Sequence, residues 1–359
     1  MCKKTVTAVL PARNCREDVK RCLQALAAGE SVPEIIVVDD GSKDGTAQMV
    51  RSCWPSATVL VLRAHTGYAH AANAGLKLVR TAYALLLRPD LQPSRRCVKR
   101  LLEAVDSEAA GSGSPGIFCA IPQAVLPSGS TGSIRNNPFS KAFSRSGRPP
   151  LPERTLAVPD GCAMYRMSVL ERIGWLDERH YDGLEAFDLS MRAALYGYST
   201  VRAGGAYVRS AAGNGREGDP AGESFRGMLA VGNSLFTFYK NMPCLQRLLA
   251  FPLEAAVRKA QAAAFARRKE EFRKAIERGR MLCTLERERR EAFEEGAGTY
   301  PENLSEASYL AMGQEAGRIY PLYLASREPS SADRIPRYLQ IHRLLFHDRA
   351  GLSGILAEK

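Results

Sequence analysis

The sequence predicts an α/β protein in which a mostly parallel sheet is flanked by helices and followed by a helical C-terminal extension. Three observations predict it. Short runs of apolar, often β-branched residues alternate with helix-patterned segments over the first hundred residues. Those runs are apolar throughout, which marks strands covered on both faces. After about residue 223 the chain is rich in Ala, Arg, Leu and Glu, as a helical segment requires.

The elements follow in order. "TVTAVLP" is a strand, "CREDVKRCLQALAAG" a helix ending at Gly29, and "EIIVVDDG" a second strand. "DGTAQMVRSCW" is a helix, "TVLVLR" a strand, "AHAANAGLKLVRT" a helix and "YALLLRPD" a strand. Residues 106–153 are rich in Gly, Ser and Pro and read as turns and a long flexible loop around one short strand, "IFCAIPQAV". Regular pattern returns at "ERTLAVPDGCAMYRMSVLERIG" and runs to the strand "STVRAGGAYVR". The division expected is 1–240 for the α/β domain and 241–359 for a basic helical extension.

Composition narrows the class. Over 359 residues, 45% are hydrophobic and 25% charged, which argues against disorder and against an integral membrane protein. No stretch approaches the roughly 18 apolar residues of a membrane span. The start, "MCKKTVTAVLP", reads as a first strand and not as a signal peptide. Nine cysteines are scattered without a CxxC pair, which suggests reduced thiols in a cytoplasmic protein. The net charge of +12 attracts polyanions, but no zinc finger or basic-aromatic alternation accompanies it, and a nucleic-acid partner is not expected.

Chemistry concentrates at strand ends, where sheets of this kind bind ligands. "VVDDGSKDGT" (37–46) puts Asp39 and Asp40 at the end of a strand, followed by a Gly-Ser turn and by Asp44, which can cap the next helix. The same residues also suit an ordinary βα turn. "YDGLEAFDLSMRAALYGY" (181–198) opens an amphipathic helix with Glu185 and Asp188 on one face. Asp182 and Glu185 form a capping-box-like pair, so a purely structural account of this helix start stands beside a catalytic one.

With "VLPARNCREDVKRCLQAL", "EIIVVDDGSKDGT", "HTGYAHAANAGLKLV", "LLLRPDLQP", the block 158–198 and "GNSLFTFYKNMP" in consistent order, the chain resembles family 2 glycosyltransferases of the bacterial polysaccharide type. The resemblance implies the Rossmann-like GT-A fold and inverting transfer of a sugar from a nucleotide-diphosphate donor to a glycan or lipid-linked acceptor. It assigns Pro11, Arg13, Asp39, Asp40, Gly67, Asn73, Arg88 and Asp90 to the nucleotide, and Asp160 and Gly161 to the acceptor side. It gives Asp90 to a divalent metal, Mn²⁺ or Mg²⁺.

Three positions depart from the family pattern. Arg88 replaces an Asp or Asn, and its guanidinium would either repel a cation or itself neutralise a phosphate. Ser210 stands where the family has a His ligand. Ala186 stands at the general-base position, leaving Glu185, Asp188 and Asp182 as the carboxylates that would serve. The departures open a second reading: a catalytically impaired, nucleotide-binding or scaffold protein. In the extension, 244–282 places Leu245, Leu249, Leu253 and Val257 four apart, with Pro252 implying a break. Such a basic helix would either dock on the α/β domain or a partner subunit, or lie peripherally on the inner face of the plasma membrane.

Overall fold

β1 (Val6–Ala12) is buried at every position because it lies between two parallel neighbours, β2 (Glu34–Asp39) and β4 (Tyr83–Leu87). The structure, a computed structural model, describes residues 6–107, 116–125, 131–132, 153–155, 161–181, 183–210, 220–241, 251–252, 255–256 and 269–294. Successive strand side chains point to opposite faces, so each buried strand feeds two cores. Leu10, Leu85 and Leu87 meet Val19, Leu23, Met49 and Leu101 from α1 (Arg16–Ala27), α2 (Thr46–Cys53) and α4 (Cys97–Asp106). Val9, Val38 and Leu86 meet Ala72, Leu76, Leu170 and Leu189 from α3 (Tyr68–Leu76), α5 (Met167–Ile173) and α6 (Glu185–Leu195).

Gly75 shows how close α3 lies to the sheet. A Cβ there would sit 2.5 Å from Val9 Cγ1 and 2.7 Å from Val38 Cγ2, so only glycine lets the helix settle.

The sheet order is β3-β2-β1-β4-β9-β6-β10-β5. The remaining strands on this path are β3 (Thr58–Val61), β5 (Leu91–Pro93), β6 (Ile117–Val125), β9 (Cys162–Arg166) and β10 (Ser199–Ser210). Short β7 (Thr131–Gly132) and β8 (Glu153–Thr155) attach to β6 and β10. The half from β3 to β4 is parallel, as the strand-helix alternation predicts. Beyond β4 the sheet is mixed. The pairing of Leu87 with Cys162 starts β9 at the carboxyl end of β4, so β9 runs back antiparallel to β4 and β6. The strand expected inside the long loop, β6, is central, with Phe118, Cys119 and Ala120 buried.

Between β1 and β4 the strand order reverses direction, since β2 and β3 lie on one side of β1 and all later strands on the other. Such a switch point opens a crevice at the carboxyl ends of the strands. It is flanked here by Arg13, just past β1, and Arg88, just past β4.

α7 (Pro220–Asn241) and α8 (Lys269–Glu294) pack along each other closely enough that a Cβ on Gly279 would stand 3.0 Å from Leu235. α8 buries Ile276, Leu282 and Cys283. The boundary expected at 240/241 falls in the last turn of α7. Of the helix expected over 244–282, residues 251–252, 255–256 and 269–282 are described, and the last of these continue beyond 282 to Glu294. Phe251 meets Phe238 and Tyr239 with ring centroids 6.4 and 5.3 Å apart. Among the described residues, no helix is long and apolar enough to cross a membrane.

Candidate active site

The loops after β1 and β2 are tied to each other. Asn14 donates its backbone N–H to Ser42 Oγ (3.0 Å), and Lys43 N–H donates to Asn14 Oδ1 (2.8 Å). Asp44 accepts from Thr46 N–H at the start of α2 and from Arg16 N–H at the start of α1, so one carboxylate serves both helix N-termini. Burial opposes its charge, and the hydrogen bonds from Thr46 and Arg16 outweigh that and lower its pKa. Asp39, buried at the end of β2, accepts from Ser42 N–H at 2.8 Å. Pro11 is buried in β1 opposite Val38, whereas Arg13 is exposed at the mouth of the crevice.

Asp40 is committed to the loop before α3. Its Oδ1 accepts from Thr66 N–H (2.7 Å) and Thr66 Oγ1 (2.9 Å), and its Oδ2 accepts from Gly67 N–H (3.2 Å) and lies 2.6 Å from His65 Nδ1. The other nitrogen of His65, Nε2, lies 2.7 Å from the Tyr181 hydroxyl. Gly67 makes that approach possible. It has φ +96°, and a Cβ on it would stand 2.6 Å from Tyr181 Cδ2.

Beyond β4, Arg88 and Asp90 form a two-pronged pair, Nε to Oδ1 at 2.9 Å and Nη2 to Oδ2 at 3.0 Å. Arg88 N–H donates to Gly161 O at 2.7 Å, and its side chain lies over the place where a Gly161 Cβ would be. Ser210 pairs with Leu91 in the strand register, one residue beyond Asp90 in the chain. As arranged, these residues do not fit a divalent ion: both oxygens of Asp90 already face a guanidinium.

α6 starts differently from the capping box expected at 182–185. Its N-cap is Leu184 at φ 69°, with no side-chain cap, and Glu185 is the first helical residue. Tyr181 and Gly183 also have positive φ. Asp182 and Asp160 lie outside the described residues. Ala186 is buried in the apolar cluster with Leu189 and Ala193, and Glu185 is buried as well.

Two assignments are corrected by what the side chains touch. Asn73 was expected at the nucleotide, but it is buried, and its amide donates to Leu176 O (2.9 Å) and Glu178 Oε1 (2.8 Å) while accepting from Leu176 N–H (3.1 Å). It fastens α3 to the segment before α6. Asp188 was expected as a candidate base. It is fully buried, with Oδ2 3.0 Å from Arg192 Nε and 2.9 Å from Lys240 Nζ, and with Oδ1 accepting from Asn241 Nδ2 at 2.7 Å.

Lys240 of α7 also reaches Asp177 Oδ2 at 2.7 Å. Arg179 forks onto Asp177 and joins Glu286 of α8 at 2.8 Å. Within this group Asp177, Asp188 and Glu286 balance Arg179, Arg192 and Lys240 one for one. Asp177, His180 and Asp188 bring possible ligand atoms within 4.8 Å of one another. The Lys240 ammonium bridges both carboxylates there, so this group does not fit a second cation either.

Burial opposes the charges of both aspartates, and Lys240, with Arg179 at Asp177 and Arg192 at Asp188, outweighs it and holds both carboxyls below their usual range. His180, packed 5.1 Å from the Phe236 ring and bonded to Thr237 Oγ1 (2.8 Å), is pushed down from 6.5, chiefly by burial. All three groups are depressed in the fold, so the unfolded chain binds more protons as pH falls. The stability they contribute is fully present above about pH 6.5; His180's share is lost first on acidification and the aspartates' share below about pH 4. Unfolding midpoints in denaturant at stepwise lower pH should therefore fall from about pH 6.5 downward, and His180→Gln should remove the first part of that fall. A flat profile between pH 7 and 5 would contradict it.

A crevice at a switch point, carrying a strand-end aspartate and flanking arginines, lies where α/β sheets of this kind bind ligands. Residues 7–174 match the model of "Glycosyl transferase family 2". The mycobacterial N-acetylglucosaminyl-diphospho-decaprenol L-rhamnosyltransferase (Mycobacterium tuberculosis) is 24% identical over 220 residues, covering 54% of this chain and 70% of that protein. Glycosyltransferase AglE of Haloferax volcanii is 28% identical over 101 residues, 26% of this chain and 33% of that protein. The chain thus spans only a third of the latter's length. The crystal structure of GalNAc-T7 with UDP, GalNAc and Mn²⁺ superposes with a TM-score of 0.53 at 12% identity, covering 83% of this chain and 58% of that one. The fold is GT-A.

Sequence reasoning did not single out Tyr181, Lys240, Asn233 or Arg278. His65 lies in the "HTGYAHAANAGLKLV" stretch that carries part of the family resemblance. The others are placed by contacts between segments far apart in the chain, for which no local pattern exists.

Proposed function

We propose that the protein is an inverting glycosyltransferase that moves a sugar from a nucleotide-diphosphate donor to a glycan or lipid-linked acceptor. The observation that carries this is the pair Arg13 and Arg88 flanking the β1/β4 crevice next to Asp39. In such a reaction the acceptor oxygen attacks the anomeric carbon, the bond to the diphosphate breaks, and negative charge builds on the leaving oxygens. Guanidinium groups at strand ends, Arg88 held by Asp90 and Arg13 exposed, suit that charge, and a strand-end carboxylate suits a base or ribose. The lipid-linked acceptor is supported by the rhamnosyltransferase likeness. A bacterial polysaccharide pathway at the membrane face fits the same likeness.

A second reading, a nucleotide-binding protein without turnover, is favoured by the apolar burial of Ala186 and the ion-paired burial of Asp188. Purified protein incubated with UDP-, GDP- and dTDP-sugars decides between them. Release of nucleoside diphosphate from at least one donor, lost on Asp39→Ala, is the expected result. Binding of UDP or GDP with no donor consumed would leave the second reading standing.

A further inference from the structure

With Ala186 turned into the apolar core, the acceptor's proton needs another destination, and the chain Asp40, His65, Tyr181 supplies one. Carboxylate oxygens only accept, and Asp40 already accepts from Thr66 and Gly67. The 2.6 Å contact therefore places the proton on His65 Nδ1, which leaves Nε2 as the acceptor facing the Tyr181 hydroxyl at 2.7 Å. Tyr181 donates to His65, and its own oxygen keeps lone pairs for a second hydroxyl. We infer that Tyr181, backed by His65 and Asp40, is the proton acceptor for the attacking hydroxyl. This rests on the glycosyltransferase reading above.

The backbone supports the assignment. Tyr181 has φ 66° and ψ −64°, a conformation that costs about 1–3 kcal/mol and persists only where the surroundings impose it. Those surroundings are specific. Ala69 N–H donates to Tyr181 O (3.1 Å), and Asn233 Nδ2 of α7 donates to the carbonyls on either side, His180 O and Gly183 O, both at 2.8 Å. Arg278 of α8 donates to Arg179 O at 2.9 Å. α7 and α8 thus hold the turn that aims Tyr181 at His65, and Gly67 leaves room for the ring.

The step balances. As the acceptor oxygen bonds to the anomeric carbon, its proton passes to Tyr181 Oη, and the Tyr181 proton passes to His65 Nε2. The electron pair of the broken bond leaves with the nucleoside diphosphate. The imidazolium formed is paired with the Asp40 carboxylate, so no isolated charge is created.

The test uses the full chain and whichever UDP-, GDP- or dTDP-sugar it consumes. Tyr181→Phe keeps the ring over Gly67 and removes only the hydroxyl. It should lower kcat by about 100-fold or more while KM and the calorimetric Kd for the matching nucleoside diphosphate stay within about 3-fold. His65→Ala should show a similar loss, partly restored by added imidazole. A wild-type enzyme that turns over while Tyr181→Phe keeps its kcat overturns the relay alone, as does a kcat loss matched by an equal loss of nucleotide affinity. A wild-type chain that consumes no donor overturns the glycosyltransferase reading and the relay together.

Discussion

Lys240→Ala should destabilise the protein by about 3–5 kcal/mol, the cost of removing one partner from a buried ion pair and leaving the other uncompensated. The Lys240 side chain is 1% exposed, and its ammonium touches both Asp177 (2.7 Å) and Asp188 (2.9 Å). Without it Asp177 keeps Arg179, and Asp188 keeps Arg192 and Asn241, but the group carries an excess negative charge on buried carboxylates. The same cluster joins α6, α7, α8 and the turn before Tyr181. Weakening it should therefore loosen the extension and the turn together. Asp188→Asn in the Lys240→Ala background restores the charge balance, and the double variant should lose clearly less than the sum of the single losses. Chemical denaturation of the four proteins of this cycle measures it. Additive losses, or a Lys240→Ala loss below about 1 kcal/mol, would show that the ammonium is not what compensates these carboxylates.

Where the fold was legible in the sequence, one period governed a whole element. "VTAVLPA", "IIVV" and "YALLL" are apolar at every position because helices cover both faces of their strands, and this is why the parallel half of the sheet and its carboxyl-end crevice follow from pattern alone. The mixed half does not follow. The direction of β9 is set by where the chain re-enters the sheet after a long Gly/Ser/Pro-rich stretch, and no residue in "CAMYR" records that.

The site divides in the same way. Asp39, Arg13, Arg88 and Asp90 sit at strand ends, where position in sequence fixes position in space. Asn73 and Asp188 were misread because their types fit either a ligand or a buried tie. Only the placement of Leu176 and Glu178, and of Arg192 and Lys240, decides between those roles. Tyr181 and Lys240 lie 116 and 52 residues from the partners that give them meaning, beyond the reach of any local motif.

Nucleotide binding should not depend on a divalent ion, and Arg88 is the reason. In the wild-type chain the calorimetric Kd for UDP or GDP should change by less than about 3-fold between EDTA and Mn²⁺, because the guanidinium occupies both oxygens of Asp90 and supplies positive charge at the strand end. A charge-assisted hydrogen bond contributes about 1.5–3 kcal/mol, so Arg88→Ala should weaken binding in EDTA by roughly 10- to 150-fold. The same substitution uncovers Asp90 and removes the repelling charge beside it. Added Mn²⁺ should then recover part of the lost affinity in Arg88→Ala while doing nothing for the wild type. Arg88→Lys should fall between them, since an ammonium keeps the charge but not the fork. Strong Mn²⁺ dependence in the wild type would mean that the Arg88–Asp90 pair opens when nucleotide arrives, and that the aspartate, not the arginine, is what this strand end offers the diphosphate.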